Sequence, residues 1–336
     1  MNDMTPIEEI NCSDTAVDLK QIVERARPVV MRGVCRDWPI VNSARESDSA
    51  FAAHLAASDN GTDVDVLLVP PDQGGVIGYA DDFDAFNFEH HRVSITQVLG
   101  RLATYSRQPN PPALALQSAL ISKCLPNLLN VNALSFLDPA VQPRLWIGNK
   151  VTTPAHFDEY RNIACVVCGR RRFTLFPPEQ IRNLYIGPLD FAPTGAAMSM
   201  ARLDQPDDPR FPRLKEALAH AQSAELSPGD AIYIPPMWWH HVVSLERINA
   251  LVNYWWSATD GDAVVPATSL DGLMHCILSF KSLGANERAA WRELLDYYVF
   301  GDEDPAAHIP EQRRGMLGPL TPELVEQLKA KIRSYL

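Results

Sequence analysis

His156-Phe157-Asp158 sets an imidazole and a carboxylate two residues apart. In a strand, residues so spaced face the same side, so both side chains can address one point. A nitrogen and an oxygen ligand there make two-thirds of a 2-His-1-carboxylate facial triad, the ligand set of non-haem Fe(II) oxygenases. His240, 84 residues further on and just past a Pro-Gly-Asp turn and an apolar strand, is the natural third ligand. Three protein ligands on one face of Fe(II) leave three positions open. A 2-oxo acid such as 2-oxoglutarate fills two and O2 the last. A single carboxylate keeps the site at net +1, which attracts an anionic cosubstrate. H-x-D alone is a weak signal, because solvated turns contain it by chance.

The elements that must position these residues change character along the chain. Residues 1–135 read as a mixed α/β segment that packs on and completes a barrel. A helix is expected over 16–26, capped by Asp14 or Thr15, then a strand over 28–33, a strand over 64–69 and a helix over 94–105. Residues 136–260 carry β-prone runs at 145–148, 163–168, 172–176, 231–234, 241–245 and 250–256, punctuated by Gly169, Pro177-Pro178 and Pro228-Gly229-Asp230. A Pro/Asp-rich insertion with a short helix over 215–222 interrupts them. Residues 261–336 return to helices, expected over 269–282, 287–298 and from Pro322 to 335 behind a Thr321 cap. Short strands, frequent turns and one long insertion suit a barrel. The fold class expected is mainly β with flanking helices.

Longer blocks sharpen this. Thr153-Pro154-Ala155-His156-Phe157-Asp158-Glu159 with Asn162, the run Gly169 to Pro178, the run Pro228 to His241, and Val252-Asn253-Tyr254-Trp255 follow one another in order. Together they resemble the JmjC-type cupin group of Fe(II)/2-oxoglutarate oxygenases, with the factor-inhibiting-HIF type of asparaginyl hydroxylase the nearest match. Pro28 to Gly33, Trp38-Pro39 and Arg210-Phe211-Pro212 fit too, so the likeness spans most of the chain. It implies a double-stranded β-helix, metal ligation by His156, Asp158 and His240, and cosubstrate contacts from Thr153, Asn162 and Asn253. The lysine that holds the cosubstrate's distal carboxylate in that group is here Arg171. Strand parity agrees: Arg171, Phe173 and Leu175 share one face, and an inward arginine among apolar neighbours needs an anion. Ala115 stands where the group has an assisting tyrosine. The likeness also implies a homodimer through C-terminal helices, where Leu324, Leu328 and Ile332 form an apolar stripe.

Several local features take plainer readings. His241 faces away from His240 on the same strand, so only one of the two can ligate. Cys165-Val166-Val167-Cys168 lies in a strand and lacks the second pair of a zinc site, so buried free thiols are expected. Trp238, Trp239, Trp255 and Trp256 read as core. His90-His91-Arg92, near Phe83, Phe86 and Phe88, reads as a solvated turn beside buried rings, and Asp302-Glu303-Asp304 as a solvated loop.

With 30 basic and 41 acidic residues, net charge is −11, which argues against nonspecific nucleic-acid binding. The start of the chain lacks a signal-peptide pattern, no apolar run is long enough for a membrane span, and the scattered cysteines suit a reducing cytoplasm. The expected activity is hydroxylation of a protein or peptide side chain or a small molecule. Two alternatives are a metal-binding cupin without oxygenase turnover, acting as sensor or scaffold, and a tRNA-base hydroxylase.

Overall fold

The computed structural model describes residues 4–12, 17–80, 84–257 and 269–335. Fourteen strands are described: β1 (Thr5–Pro6), β2 (Glu8–Asn11), β3 (Val29–Arg32), β4 (Val64–Val69), β5 (Glu89–Val93), β6 (Ala113–Leu120), β7 (Pro143–Gly148), β8 (Thr152–His156), β9 (Arg161–Cys168), β10 (Arg171–Phe176), β11 (Gln222–Leu226), β12 (Ala231–Ile234), β13 (Trp239–Ser244) and β14 (Asn249–Trp256). They form a five-stranded sheet, β1-β11-β10-β13-β8, and a nine-stranded sheet, β2-β3-β12-β9-β14-β7-β6-β4-β5. From β7 to β14 the chain passes back and forth between the two sheets, except that β10 and β11 are neighbours in the smaller one, as expected of a jelly roll with flanking helices.

Strand parity sorts the core into layers. Ala164 and Val166 of β9, Ile232 and Ile234 of β12 and Leu251 of β14 meet Phe173, Leu175 and Val242 from the smaller sheet. The alternate residues Ile163, Cys165, Val167, Ala231, Tyr233 and Val252 face outward against the N-terminal helices, among them Phe51 and Leu55. Residues 163–168 are therefore buried on both faces, so that stretch reads as a continuous apolar run without alternation. Gly169 (φ 68°) turns the chain from β9 into β10. A Cβ there would collide with the Ile248 carbonyl, so the turn that sets the register of Arg171 requires glycine.

The first helix differs from expectation: it spans Leu19–Glu24, with Asp18 accepting from the Gln21 N–H. The expected caps at residues 14 and 15 lie outside the described residues. The helix at Ile95–Tyr105 carries a full capping box from Ser94 and Gln97. The insertion helix is shorter than expected, Leu214–Ala219, because the chain leaves it to form β11. The early part of the chain also holds helices at Pro39–Glu46 and Asp48–Ser58.

Two compact units divide the chain at Trp256 and Ser257. The first holds both sheets, and the strands of residues 1–135 are integral to them. The second holds helices Ser269–Phe280, Ala285–Leu295 and Pro322–Arg333. Thr321 caps the last of these. Among this unit's described residues only Ala306 and Val325 are buried apolar side chains, while Leu278 and Phe300 are 68% and 72% exposed. Among the described residues, no helix is long and apolar enough to cross a membrane.

Candidate metal centre

β8 and β13 are antiparallel neighbours in the smaller sheet, and His156 is the direct register partner of His240. That pairing carries the two rings to a centroid separation of 4.1 Å. Asp158 follows β8 by two residues. Its carboxylate oxygen lies 3.6 Å from Nε2 of His240, and one ligand atom from each of the three side chains falls within 4.8 Å of the others.

Both imidazoles are held in the form a metal needs. Nδ1 of His156 donates to the Pro154 carbonyl at 2.9 Å, and Nδ1 of His240 to the Trp238 carbonyl at 3.1 Å. A carbonyl can only accept, so each Nδ1 carries a proton and Nε2 is the nitrogen each ring has left for a metal. Burial, with the neighbouring His240 ring adding to it, lowers the pKa of His156 to about 4. The ring is therefore neutral at neutral pH, and no proton competes for its nitrogen.

The carboxylate is aimed just as firmly. Oδ2 of Asp158 accepts from Nδ2 of Asn162 at 3.1 Å and from Nε1 of Trp255 at 3.2 Å. Asn162 in turn accepts from Nδ2 of Asn253 at 2.8 Å. Met237, in the left-handed region at φ 65°, donates its backbone N–H to the Asp158 carbonyl at 2.9 Å. This ties the loop before β13 to the loop after β8. The sequence alone places Trp255 in the core and does not single out Met237. The parity of β14 could have found Trp255, since it shares a face with Asn253; nothing in the sequence signals Met237. The donor set fits a borderline divalent ion with an open face: two imidazole nitrogens, one carboxylate, and no fourth ligand among the described residues.

The residues matched to the cosubstrate are distributed as follows. Thr153 is the register partner of Val242. Arg171 opposes Ser244 on β13, and through Phe173 and Leu175 it shares the inward face with Val242 and His240. It is 8% exposed. Its Nε has no hydrogen-bond partner among the described residues, and burial depresses its pKa to about 10. Ser244, itself buried, brings a hydroxyl to the same stretch and was not anticipated. Ala115 is buried in an apolar cluster with Leu67, Ile77 and Val151. Asn253 is buried, and its Oδ1 lacks a donor.

His241 points to the other side of the smaller sheet. It lines a cavity of about 520 Å³ with Thr152, Asp204 and Tyr79, which none of the three triad residues lines. Burial lowers its pKa to about 4 as well. Arg170 and Arg172 pair on the surface with Glu225, and Arg170 also with Glu246. Cys165 and Cys168 are free and buried, and burial pushes the Cys168 thiol up to about 12. His90 and His91 lie in β5, where His90 sets its ring edge-on to Phe88; Phe83 lies outside the described residues.

Residues 15–262 match the model of the cupin-like domain. The chain belongs to the cupin-like domain family. Within it, this cupin-like protein is similar to curated relatives of JmjC type. It is 32% identical over 147 residues to HSPB1-associated protein 1 of Homo sapiens, a match covering 43% of this chain and 30% of that protein. It is 30% identical over 134 residues to lysine-specific demethylase JMJ31 of Arabidopsis thaliana, covering 40% of this chain and 23% of the relative. With Jumonji C domain-containing protein 5 of Drosophila melanogaster the figures are 35% over 118 residues, 35% of this chain and 28% of the relative. The matched segments thus span under a third of these relatives. In this cupin-like protein the His-Asp-His set is the one cluster among the described residues that could hold a metal.

Proposed function

We propose that this cupin-like protein is an Fe(II)- and 2-oxoglutarate-dependent dioxygenase that hydroxylates a protein or peptide side chain or a small molecule. His156, Asp158 and His240 hold the iron, and Arg171, with Thr153, holds the distal carboxylate of 2-oxoglutarate. Asn162 and Asn253 complete the pocket by orienting Asp158 and lining the space beside it. The observation that carries the reading is Arg171, a buried inward guanidinium with no carboxylate partner among the described residues, on the same sheet face as His240. A metal site serving only structure needs no such cation. A bound dicarboxylate supplies the charge partner that burial otherwise denies it.

When bound, iron, 2-oxoglutarate and O2 together supply the oxidising power, giving succinate, CO2 and a hydroxylated substrate. The protein's own part is positional. Both imidazoles are locked with Nε2 inward, Asp158 is held by two N–H donors, and the edge-on pair Trp146 and Trp255, 6.0 Å apart, walls the site. No side-chain acid or base is required. Among the relatives' names, a lysine-specific demethylase and an HSPB1-associated protein favour a protein side chain as substrate. The likeness to the asparaginyl hydroxylase type rests on the motif blocks quoted above. The exposed apolar surface of the second unit is best covered by another copy of this chain, making a homodimer, and six free cysteines suit the cytoplasm.

The test is aerobic incubation with Fe(II) and 2-oxoglutarate, following succinate by mass spectrometry. Succinate formation that needs all three ligands supports the reading. Metal binding without any succinate favours a sensor or scaffold. Retention of RNA at physiological salt would instead favour tRNA-base hydroxylation.

A further inference from the structure

A second inward cation sits at the metal end of the barrel. Arg144 lies on β7, two residues before Trp146, whose ring packs against the barrel interior. The two share a face. Its register partner on β14 is Asn253, whose amide reaches Asn162 and, through it, the Asp158 carboxylate. Arg171 is at the other end: along β10 it stands four residues from Leu175, the register partner of His240, about 13 Å of strand. One dicarboxylate anchored on the metal and on Arg171 leaves Arg144 unclaimed.

Arg144 is half-buried, and it has no carboxylate partner among the described residues. Among the described residues its guanidinium donates only to the carbonyl and hydroxyl of Ser118, both at 3.3 Å. Ser118 sits in a bulge of β6, where the register to β7 shifts between Leu116 and Ala119, and its φ is 47°. A non-glycine residue in the left-handed region within a bulge is a strained device for aiming backbone polar groups. Here it holds Nη1 of the guanidinium and leaves Nε and Nη2 without a partner among the described residues. Two neighbours on the same inward face are also unsatisfied: Nε1 of Trp146, a donor, and Oδ1 of Asn253, an acceptor. The Asn253 orientation follows from the chain of bonds, since Asn162 must turn its N–H to Asp158 and so accepts from Asn253.

We propose that Arg144, with the Trp146 N–H, is the substrate-recognition subsite, and that the substrate carries an acidic group close to the carbon that is oxidised. A carboxylate or phosphate there takes the free donors of the arginine and the indole, while Asn253 Oδ1 accepts from a neighbouring N–H or O–H of the substrate. The inference rests on the oxygenase reading and adds the substrate's charge class. The acidic group is supplied by a peptide side chain or by a small organic acid.

The experiment measures succinate formation by the Fe(II)-loaded full chain at saturating 2-oxoglutarate with a probe panel. The panel holds short peptides centred on Asp, Glu or phosphoserine, their Asn, Gln, Ser and Lys counterparts, and small mono- and dicarboxylic acids with their amides. In the wild type, acidic members stimulate at least about tenfold more than their neutral counterparts, roughly the worth of one charge-assisted pair. Arg144→Gln abolishes that discrimination and Arg144→Glu turns it toward the Lys peptides. The ratio is read within each variant, so a changed basal rate cancels. The KM for 2-oxoglutarate is measured in parallel. Stimulation by neutral or basic members alone, or by none, overturns the proposal, as does a raised KM for 2-oxoglutarate with unchanged discrimination in Arg144→Gln. Absence of succinate under all conditions counts against the oxygenase reading itself, a separate outcome from loss of acid preference with turnover intact.

Discussion

His156 and His240 face each other directly across two antiparallel strands, 4.1 Å between ring centroids, although 84 residues separate them in the chain. Each ring is pinned by its own backbone, through Pro154 and Trp238. Replacing either with alanine is expected to lower Mn(II) affinity by at least about a hundredfold while the fold persists. Isothermal titration of the purified variants, with circular dichroism as the folding control, checks this. Near-wild-type affinity in either variant would remove that histidine from the ligand set.

Trp255→Phe keeps the ring against Trp146 and removes only the N–H that Asp158 accepts. The expected loss in metal affinity is about tenfold, the usual range for a partner that orients a ligand. Thermal stability should fall by no more than about 1 kcal/mol. Unchanged affinity would mean that Asn162 alone aims the carboxylate.

Arg171→Gln should act in opposite directions on two measurements. Without ligand the variant is expected to be more stable by about 1–3 kcal/mol, because an unpaired buried charge has been removed. With Mn(II) present, 2-oxoglutarate affinity should fall at least a hundredfold. Chemical denaturation and ligand titration read the two effects separately. A destabilised variant that binds the oxo acid normally would overturn the assigned role.

His156 and His241 both sit near pKa 4, well below the ordinary histidine value, chiefly through burial. Between pH 6.5 and 4 the unfolded chain takes up protons that these rings refuse in the native state. Stability of the metal-free protein is therefore full above pH 6.5 and is lost as pH falls toward 4, by up to ~1.4 kcal/mol per pH unit for each ring. His156, less completely buried than His241, contributes less than that limit. Urea midpoints at pH 7, 6 and 5 should fall in order, and His241→Gln should roughly halve the slope. A flat profile would contradict the buried placement of both rings.

The second unit predicts association. Leu278 and Phe300 are among its most exposed apolar side chains, and changing both to glutamate should convert a dimer into a monomer by sedimentation. A wild type that already sediments as a monomer at micromolar concentration would end the dimer reading.

How far the sequence reached depended on what each residue faces. The strand at Val64–Val69 and the helix from Ile95 were legible because punctuation and cap stand in the local sequence. The triad was legible because H-x-D and the Pro-Gly-Asp turn are local too. Asp18 as first cap was missed because two other cap residues precede it. β6 was missed because the bulge at Ser118 breaks its alternation. The bonds of Trp255 and Met237 to Asp158 join residues 79 or more positions apart, and only the closed barrel brings them together.

The triad also spans the order in which the chain leaves a ribosome. β8 and the loop just after it carry His156 and Asp158 early, while the third side chain waits for β13, and β9 is not enclosed until β14 slots beside it. A nascent chain shorter than about residue 256 thus has a wall missing from the pocket. An ion bound by this set would load late, only in molecules whose barrel has finished closing, and occupancy of the centre would double as a readout of correct assembly.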